Sequence, residues 1–160
     1  MVDLASVTEI SKELRVAAYA VCIDGGKVLL ARWVGTEGSR WTLPGGGVDH
    51  AEDTVDAAVR EVEEETGYVV EVETLLGLHT VRRRLPRGPG VEADFHGLRV
   101  VYAARIVGGT LRNEVGGSTD LAAWVSLDEI AGLDRVDLVD VGLELHRLRP
   151  RDGKLPNRVK

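Results

Sequence analysis

The chain has 160 residues, 44% hydrophobic and 29% charged, with a formal net charge of −6. That length suits one domain with a real core, and the composition is that of an ordinary globular protein rather than a disordered or fibrous one. The acidic balance argues against general nucleic-acid affinity, the apolar run from Val16 to Ile23 is far too short to span a membrane, and the lone Cys22 excludes a disulfide within the chain.

Residues 1–13 read as a loose lead-in, and Asp3 and Glu9 there do not fit a secretory leader. A cytoplasmic location is therefore expected. Residues 14–148 read as a single domain. Arg15 to Ile23 is a buried strand, with Cys22 a small hydrophobe inside it. Asp24-Gly25-Gly26 supplies a hairpin turn, and Lys27 to Trp33 returns as the next strand. A polar loop, Gly35 to Arg40, leads to a short strand from Trp41 to Leu43.

A helix then begins near Asp53 or Thr54, either of which can cap it, and Gly67 ends it. Tyr68 to Val81 is extended. Arg82 to Asp94, rich in Arg, Pro and Gly, reads as a loop. Phe95 to Val107 and Leu121 to Val125 are strands, Ser126 caps a short helix, and Val136 to Leu148 is a final helix. Residues 149–160 carry five basic residues and one acidic, which leaves the rest of the chain at −10. They read as a disordered basic tail. This order of strands and helices predicts an α/β domain with a mixed sheet between helices.

The informative stretch is the first helix. Four of the five residues from Glu61 to Glu65 are glutamates. At about 100° per residue, Glu64 and Glu65 fall within about 60° of Glu61, while Val55, Ala58, Val59 and Val62 cluster on a neighbouring face. Like charges at these spacings repel, and acids in the last turn oppose the helix dipole. Such a cluster costs stability unless a cation lies against it. A divalent ion with oxygen ligands suits; a solvated acidic face is the plain alternative.

The surroundings are more specific. Gly46, five residues, Glu52, seven residues, Arg60-Glu61-Val62, one residue, Glu64-Glu65, one residue, Gly67-Tyr68: this pattern resembles the Nudix box, the signature of the Nudix hydrolase family. Every fixed position matches. Tyr68 stands where an aliphatic residue is usual, and Ala51 where glycine is frequent. The resemblance implies an α/β/α sandwich with the box helix on a mixed sheet. It implies hydrolysis of a nucleoside diphosphate linked to another group, by water attack at phosphorus, with Mg²⁺ or Mn²⁺ as cofactor. A nucleotide-sensing module that binds without cleaving is the alternative.

Carried over residue by residue, the resemblance makes Glu61, Glu64 and Glu65 metal ligands, with the carbonyl of Gly45 a backbone ligand. Glu61 or Glu64 would also take the proton of the attacking water. Arg60 would tie these glutamates down and Glu52 would support the loop. In some relatives the base lies on a distant loop, where Glu114 and Asp120 are the candidates. Arg32 is expected on the substrate phosphates, or else solvated at a strand end. Arg83 and Arg84, with Arg82 and Arg87, would bind terminal phosphates or keep a loop in solution. The expected partner is a small nucleotide, a nucleoside triphosphate or an ADP-ribose-type nucleotide sugar, with no nucleic acid and no membrane; a homodimer is compatible with this reading.

Overall fold

The structure, a computed structural model, describes residues 9–157. Expectations for residues 1–8 and 158–160 lie outside the described residues. Eight strands form two four-stranded sheets. The first has the order β5–β1–β7–β6, with β1 at Glu9–Val21, β5 at Gly45–Gly47, β6 at Tyr68–Gly88 and β7 at Val91–Gly109. β1 and β7 run parallel from Glu9↔Val91 to Val21↔Ala103, and the other pairs are antiparallel. In the second sheet β3 (Lys27–Gly35) pairs with β2 (Ile23–Asp24), β4 (Gly38–Thr42) and β8 (Thr119–Ser126).

Strand alternation explains how two helices are bound on opposite faces. Ala20, Cys22, Leu29 and Ala104 turn to one side, where Val62 of α1 (Thr54–Thr66) meets them. Val21, Leu30, Val101 and Ala103 turn to the other, where Leu138, Val139 and Leu145 of α2 (Asp137–Leu148) complete the core. The result is the expected α/β/α sandwich. No helix among the described residues is long and apolar enough to cross a membrane.

Four expectations need correction. Residues 9–13 are not a lead-in: they extend β1 against Val91–Phe95. Arg82 to Asp94 is not a loop but the end of a long hairpin, with Arg82 opposite His96 and Leu85 opposite Ala93. Its arginines are paired across strands: Arg82 with Asp94 at 2.6 Å, Arg84 with Glu92 at 3.4 Å and Arg87 with Glu13 at 2.7 Å. Ser126 precedes the 3₁₀ turn Leu127–Gly132 without capping it through its side chain.

The fourth correction concerns the tail. Residues 149–157 fold back on β6. The N–H of Leu78 donates to the carbonyl of Gly153 at 2.8 Å, and Leu155 packs against the core cluster around Leu138. Gly77 makes this approach possible. A Cβ there would collide with the carbonyl oxygen of Gly153 and lie 2.7 Å from a Leu145 methyl. Gly77→Ala should therefore lower stability by about 1–3 kcal/mol, seen as a reduced denaturant midpoint at unchanged m. A midpoint equal to the parent's would show that this segment is not seated on β6.

Candidate active site

The box helix is fixed at both ends. Asp53 caps it by accepting from the N–H of Val55. Gly67 leaves it at φ 79, a left-handed conformation that suits glycine. Thr66, fully buried, donates to the carbonyl of Val62 at 2.7 Å and accepts from the N–H of Tyr68 at 3.2 Å. The Tyr68 hydroxyl accepts from the Trp124 indole at 3.1 Å. That contact accounts for an aromatic residue where an aliphatic one is usual: the ring packs on Trp124 and its hydroxyl finds a partner.

β5, three consecutive glycines, is the edge strand beside β1, and α1 packs against both. A Cβ on Gly46 would sit 2.7 Å from the carboxyl carbon of Glu61. The N–H of Gly45 donates to Glu65 Oε2 at 3.1 Å. The missing side chains thus let two carboxylates of α1 lie against this backbone.

Arg60 organises the acids around it. Its Nε and Nη2 clasp Glu52 at 2.8 and 2.9 Å, and Nη2 also reaches the carbonyl of Gly47 at 3.2 Å. Nη1 donates to Glu61 at 2.9 Å and to Glu64 at 3.4 Å. Glu52 in turn accepts from the N–H of Asp49 at 2.9 Å, which holds the loop before the helix. This clasp keeps the Glu52 carboxyl down at about 2.

The two acids nearest the glycines behave in the opposite way. Glu65 is 2% exposed. Burial pushes its carboxyl up to about 9 against the Gly45 hydrogen bond, and the charges of Glu61, Glu114 and Glu64 add to the rise. Glu61 is also held above its ordinary range by burial, with Arg60 opposing and Glu64 and Glu114 assisting. Glu64 is the outermost of the three, with about half of its side chain exposed.

Glu61, Glu65, Arg60 and Gly45 therefore come together as expected, with Glu64 at the margin. Of the loop acids, Glu114 lies in the electrostatic reach of Glu61 and Glu65, held by the hydroxyl of Thr119 at 2.6 Å. Asp120 is occupied by a two-point pair with Arg32 at 2.9 and 2.6 Å. That pair also answers the expectation for Arg32: its guanidinium is committed to Asp120, and it does not line the cleft beside Glu65. Arg84 points away, to Glu92. Cys22 is buried with its thiol pushed up to about 12, consistent with a small hydrophobe.

A cleft of about 320 Å³ opens beside Gly45, Gly46 and Glu65. Arg83 lines it, as do Arg15, Arg99 and Tyr19, which the sequence reading passed over. Arg99 stands inside an apolar run and Arg15 at the start of one, and an arginine so placed was the available signal.

The donor set is hard: carboxylates and backbone oxygens, with neither thiolate nor imidazole among them. A carboxyl raised first by burial and further by three neighbouring carboxylates needs positive charge to ionise, and an oxygen-preferring divalent ion fits it. Among the described residues no three His, Cys, Asp or Glu side chains already converge as a metal site. Glu61 is turned onto Arg60 and Glu65 onto Gly45.

A family model described as a NUDIX domain matches residues 13–143. An ADP-ribose pyrophosphatase of Methanocaldococcus jannaschii is 38% identical over 72 residues, covering 45% of this chain and 38% of that protein. A putative nudix hydrolase 1 of Caenorhabditis elegans is 30% identical over 121 residues, covering 71% and 30% respectively. The chain thus spans well under half the length of either relative. A solved NUDIX hydrolase from Nitrosomonas europaea superposes with TM-score 0.69 at 26% identity, over 88% of this chain and 93% of that one. A MutT NUDIX hydrolase from Burkholderia pseudomallei gives 0.60 at 28%, over 83% and 98%.

The raised carboxyl of Glu65 sets a pH dependence. An acid whose folded pKa exceeds its unfolded value keeps a proton in the folded chain that the unfolded chain has released. Its stabilising effect is full below 4.5 and is lost as pH rises toward about 9. Without divalent ions, the melting temperature should fall across that window, and Glu65→Gln, which retains an acceptor for Gly45, should flatten the fall. An equal slope in both proteins would show that Glu65 ionises freely.

Proposed function

The chain belongs to the Nudix family, and from that premise we propose that it is a metal-dependent pyrophosphohydrolase acting on a nucleoside diphosphate linked to a further group. The observation that carries the reading is the pair of half-buried and buried carboxylates, Glu61 and Glu65, set on the glycines of β5 beside a basic cleft. The ADP-ribose pyrophosphatase and MutT names among its relatives support the same reaction type.

In the proposed reaction water attacks one phosphorus, the bridging P–O bond breaks, and the two phosphates separate. A carboxylate must take the water's proton. Glu61 is suited: it sits at the glycine strand, burial raises its affinity for a proton, and Arg60 fixes its orientation at 2.9 Å. Glu65 and Glu64 would hold the ion with Glu61. When bound, Mg²⁺ or Mn²⁺ supplies neutralisation of the diphosphate oxygens. Arg60 acts as a positioning residue that keeps Glu61 and Glu64 on one side of the helix. Glu52 and Asp49 anchor it from behind.

Release of phosphate from nucleotide substrates, followed with Mg²⁺ or Mn²⁺ and after EDTA treatment, tests the proposal. EDTA should abolish turnover and added metal should restore it. Glu61→Gln should lower kcat by about 10²–10⁴-fold, while Glu63→Gln, on the exposed side of α1, should stay within a few-fold of the parent. If Glu61→Gln and Glu64→Gln both kept full activity, the mechanism would be lost. If no nucleotide were cleaved but one bound, the chain would instead be a sensing module.

A further inference from the structure

We propose that Arg15, Arg83 and Arg99 form a seat for a phosphate group lying beyond the diphosphate that is cleaved. This rests on the hydrolase reading above and narrows its substrate to a nucleotide with at least one phosphate more than the scissile pair.

The three arginines sit on β1, β6 and β7, neighbours in the order β1–β7–β6. Arg15 is opposite Gly97, and Arg99 is opposite Ala17, two residues further along. Arg83 is opposite Phe95, two residues before Gly97. Alternate strand residues share a face, so all three project to one side. Gly97 brings no side chain between them, and a hollow of about 100 Å³ remains there. The same arginines line the cleft that contains Gly45, Gly46 and Glu65, so hollow and cleft are continuous.

Charge pairing distinguishes this group from a solvated strand face. On the hairpin, Arg82, Arg84, Arg87 and Arg105 each have a carboxylate within 3.4 Å. Arg83, in the middle of that series, has no carboxylate partner among the described residues, and neither does Arg15. Arg99, 7% exposed, donates through Nη1 to Asp137 at 3.0 Å and lies 3.5 Å from His79 Nδ1. Three guanidinium groups share a concave surface whose carboxylates are Asp137, on Arg99, and Glu65, at the glycine end of the cleft; the hollow between the arginines is lined by none. Such an arrangement is unfavourable without an anion, and arginine forks match phosphate oxygens in geometry as well as charge.

The position fits the far end of a substrate whose diphosphate lies at the box. Arg15 approaches Gly47 so closely that a Cβ there would fall 2.7 Å from its Nη2. Gly47 is the residue next to Gly46, against which Glu61 rests. Consecutive strand residues face opposite sides, so the acid and the base are separated by the thickness of one strand. A chain of phosphates can pass from the carboxylates to the arginines along that cleft. A nucleotide sugar without an extra phosphate would leave the arginines without an anion.

The test compares kcat/KM for ATP, ADP-ribose and ADP-ribose 2′-phosphate in the parent, Arg15→Gln, Arg83→Gln and the paired surface control Arg105→Gln. The Arg15 and Arg83 variants should lose about 10-fold or more on a substrate with the additional phosphate, mainly in KM, and under about 3-fold on ADP-ribose. Loss on ATP alone assigns the seat to a terminal phosphate, and loss on the 2′-phosphate alone to a phosphate ester; either supports it. Equal loss on ADP-ribose, or no loss on any substrate, overturns it. Binding of inorganic tripolyphosphate to metal-free protein supplies a readout without turnover. It should weaken about 10-fold in both variants and hold in Arg105→Gln. Should the parent cleave none of the three nucleotides, the hydrolase reading fails and tripolyphosphate alone decides the seat: unchanged binding in the variants overturns it.

Discussion

How closely helix α1 can approach strand β5 sets the site. Three consecutive residues without side chains make that approach possible. A Cβ on Gly46 would meet Glu61, one on Gly47 would meet Arg15, and one on Gly45 would collide with the carbonyl of Ala18. Gly45 also stands at φ 150, where other residues are strained. A side chain at Gly46 would displace the Glu61 carboxylate, one at Gly47 the Arg15 guanidinium, and one at Gly45 would press on the backbone of β1. The glycine run is therefore a spacer of the smallest thickness a polypeptide allows, and the opposing charges of the site are measured from it.

The acids on this motif do not share one electrostatic fate, although they lie within fourteen residues of one another. Glu52 is held near 2 and Glu65 near 9. Burial raises Glu65, and Arg60 lowers Glu52: its fork is spent on Glu52 with two hydrogen bonds and on Glu61 with one. Glu65 receives a single backbone N–H and is buried among negative neighbours. Each unit of pKa shift corresponds to about 1.4 kcal/mol, so ionising Glu65 without a cation costs several kcal/mol. A lysine in place of Arg60 would present a point charge in place of a fork and could not serve the same acids at once. One arginine and burial together thus sort the motif into acids that brace it and acids left wanting a cation.

The limits of α1 were legible because caps are local: Asp53 and Gly67 act within a turn of the helix they bound. The acidic face and its arginine were legible for the same reason. The hairpin end from 82 to 94 was not, since Arg, Pro and Gly read as loop composition. What makes it a ladder is cross-strand pairing with Asp94, Glu92 and Glu13, the last of them on a strand joined in parallel from far along the chain. The seating of Gly153 on Gly77 is equally non-local. Arg15 and Arg99 were missed because their meaning depends on the β1–β7–β6 order, which periodicity does not supply. Both departures within the box have local explanations that only structure shows. Tyr68 finds Trp124, and Ala51 takes φ 64, the left-handed region that explains why glycine is frequent there.

The same ladder separates arginines that composition lumps together. Arg82, Arg83 and Arg84 are consecutive, yet a strand sends the middle one to the opposite face. Arg82 and Arg84 reach the side that bears Asp94 and Glu92 and are neutralised there. Arg83 reaches the cleft with Arg15 and Arg99. Net charge over the whole chain is −6, which would oppose an anionic substrate if charge acted as a uniform cloud. At physiological salt the reach of a charge is about 8 Å, shorter than the span of either sheet. The substrate is therefore governed by what the cleft presents locally, and alternation on β6 leaves positive charge there while pairing removes it from the hairpin's other face. An acidic protein can in this way keep a basic site.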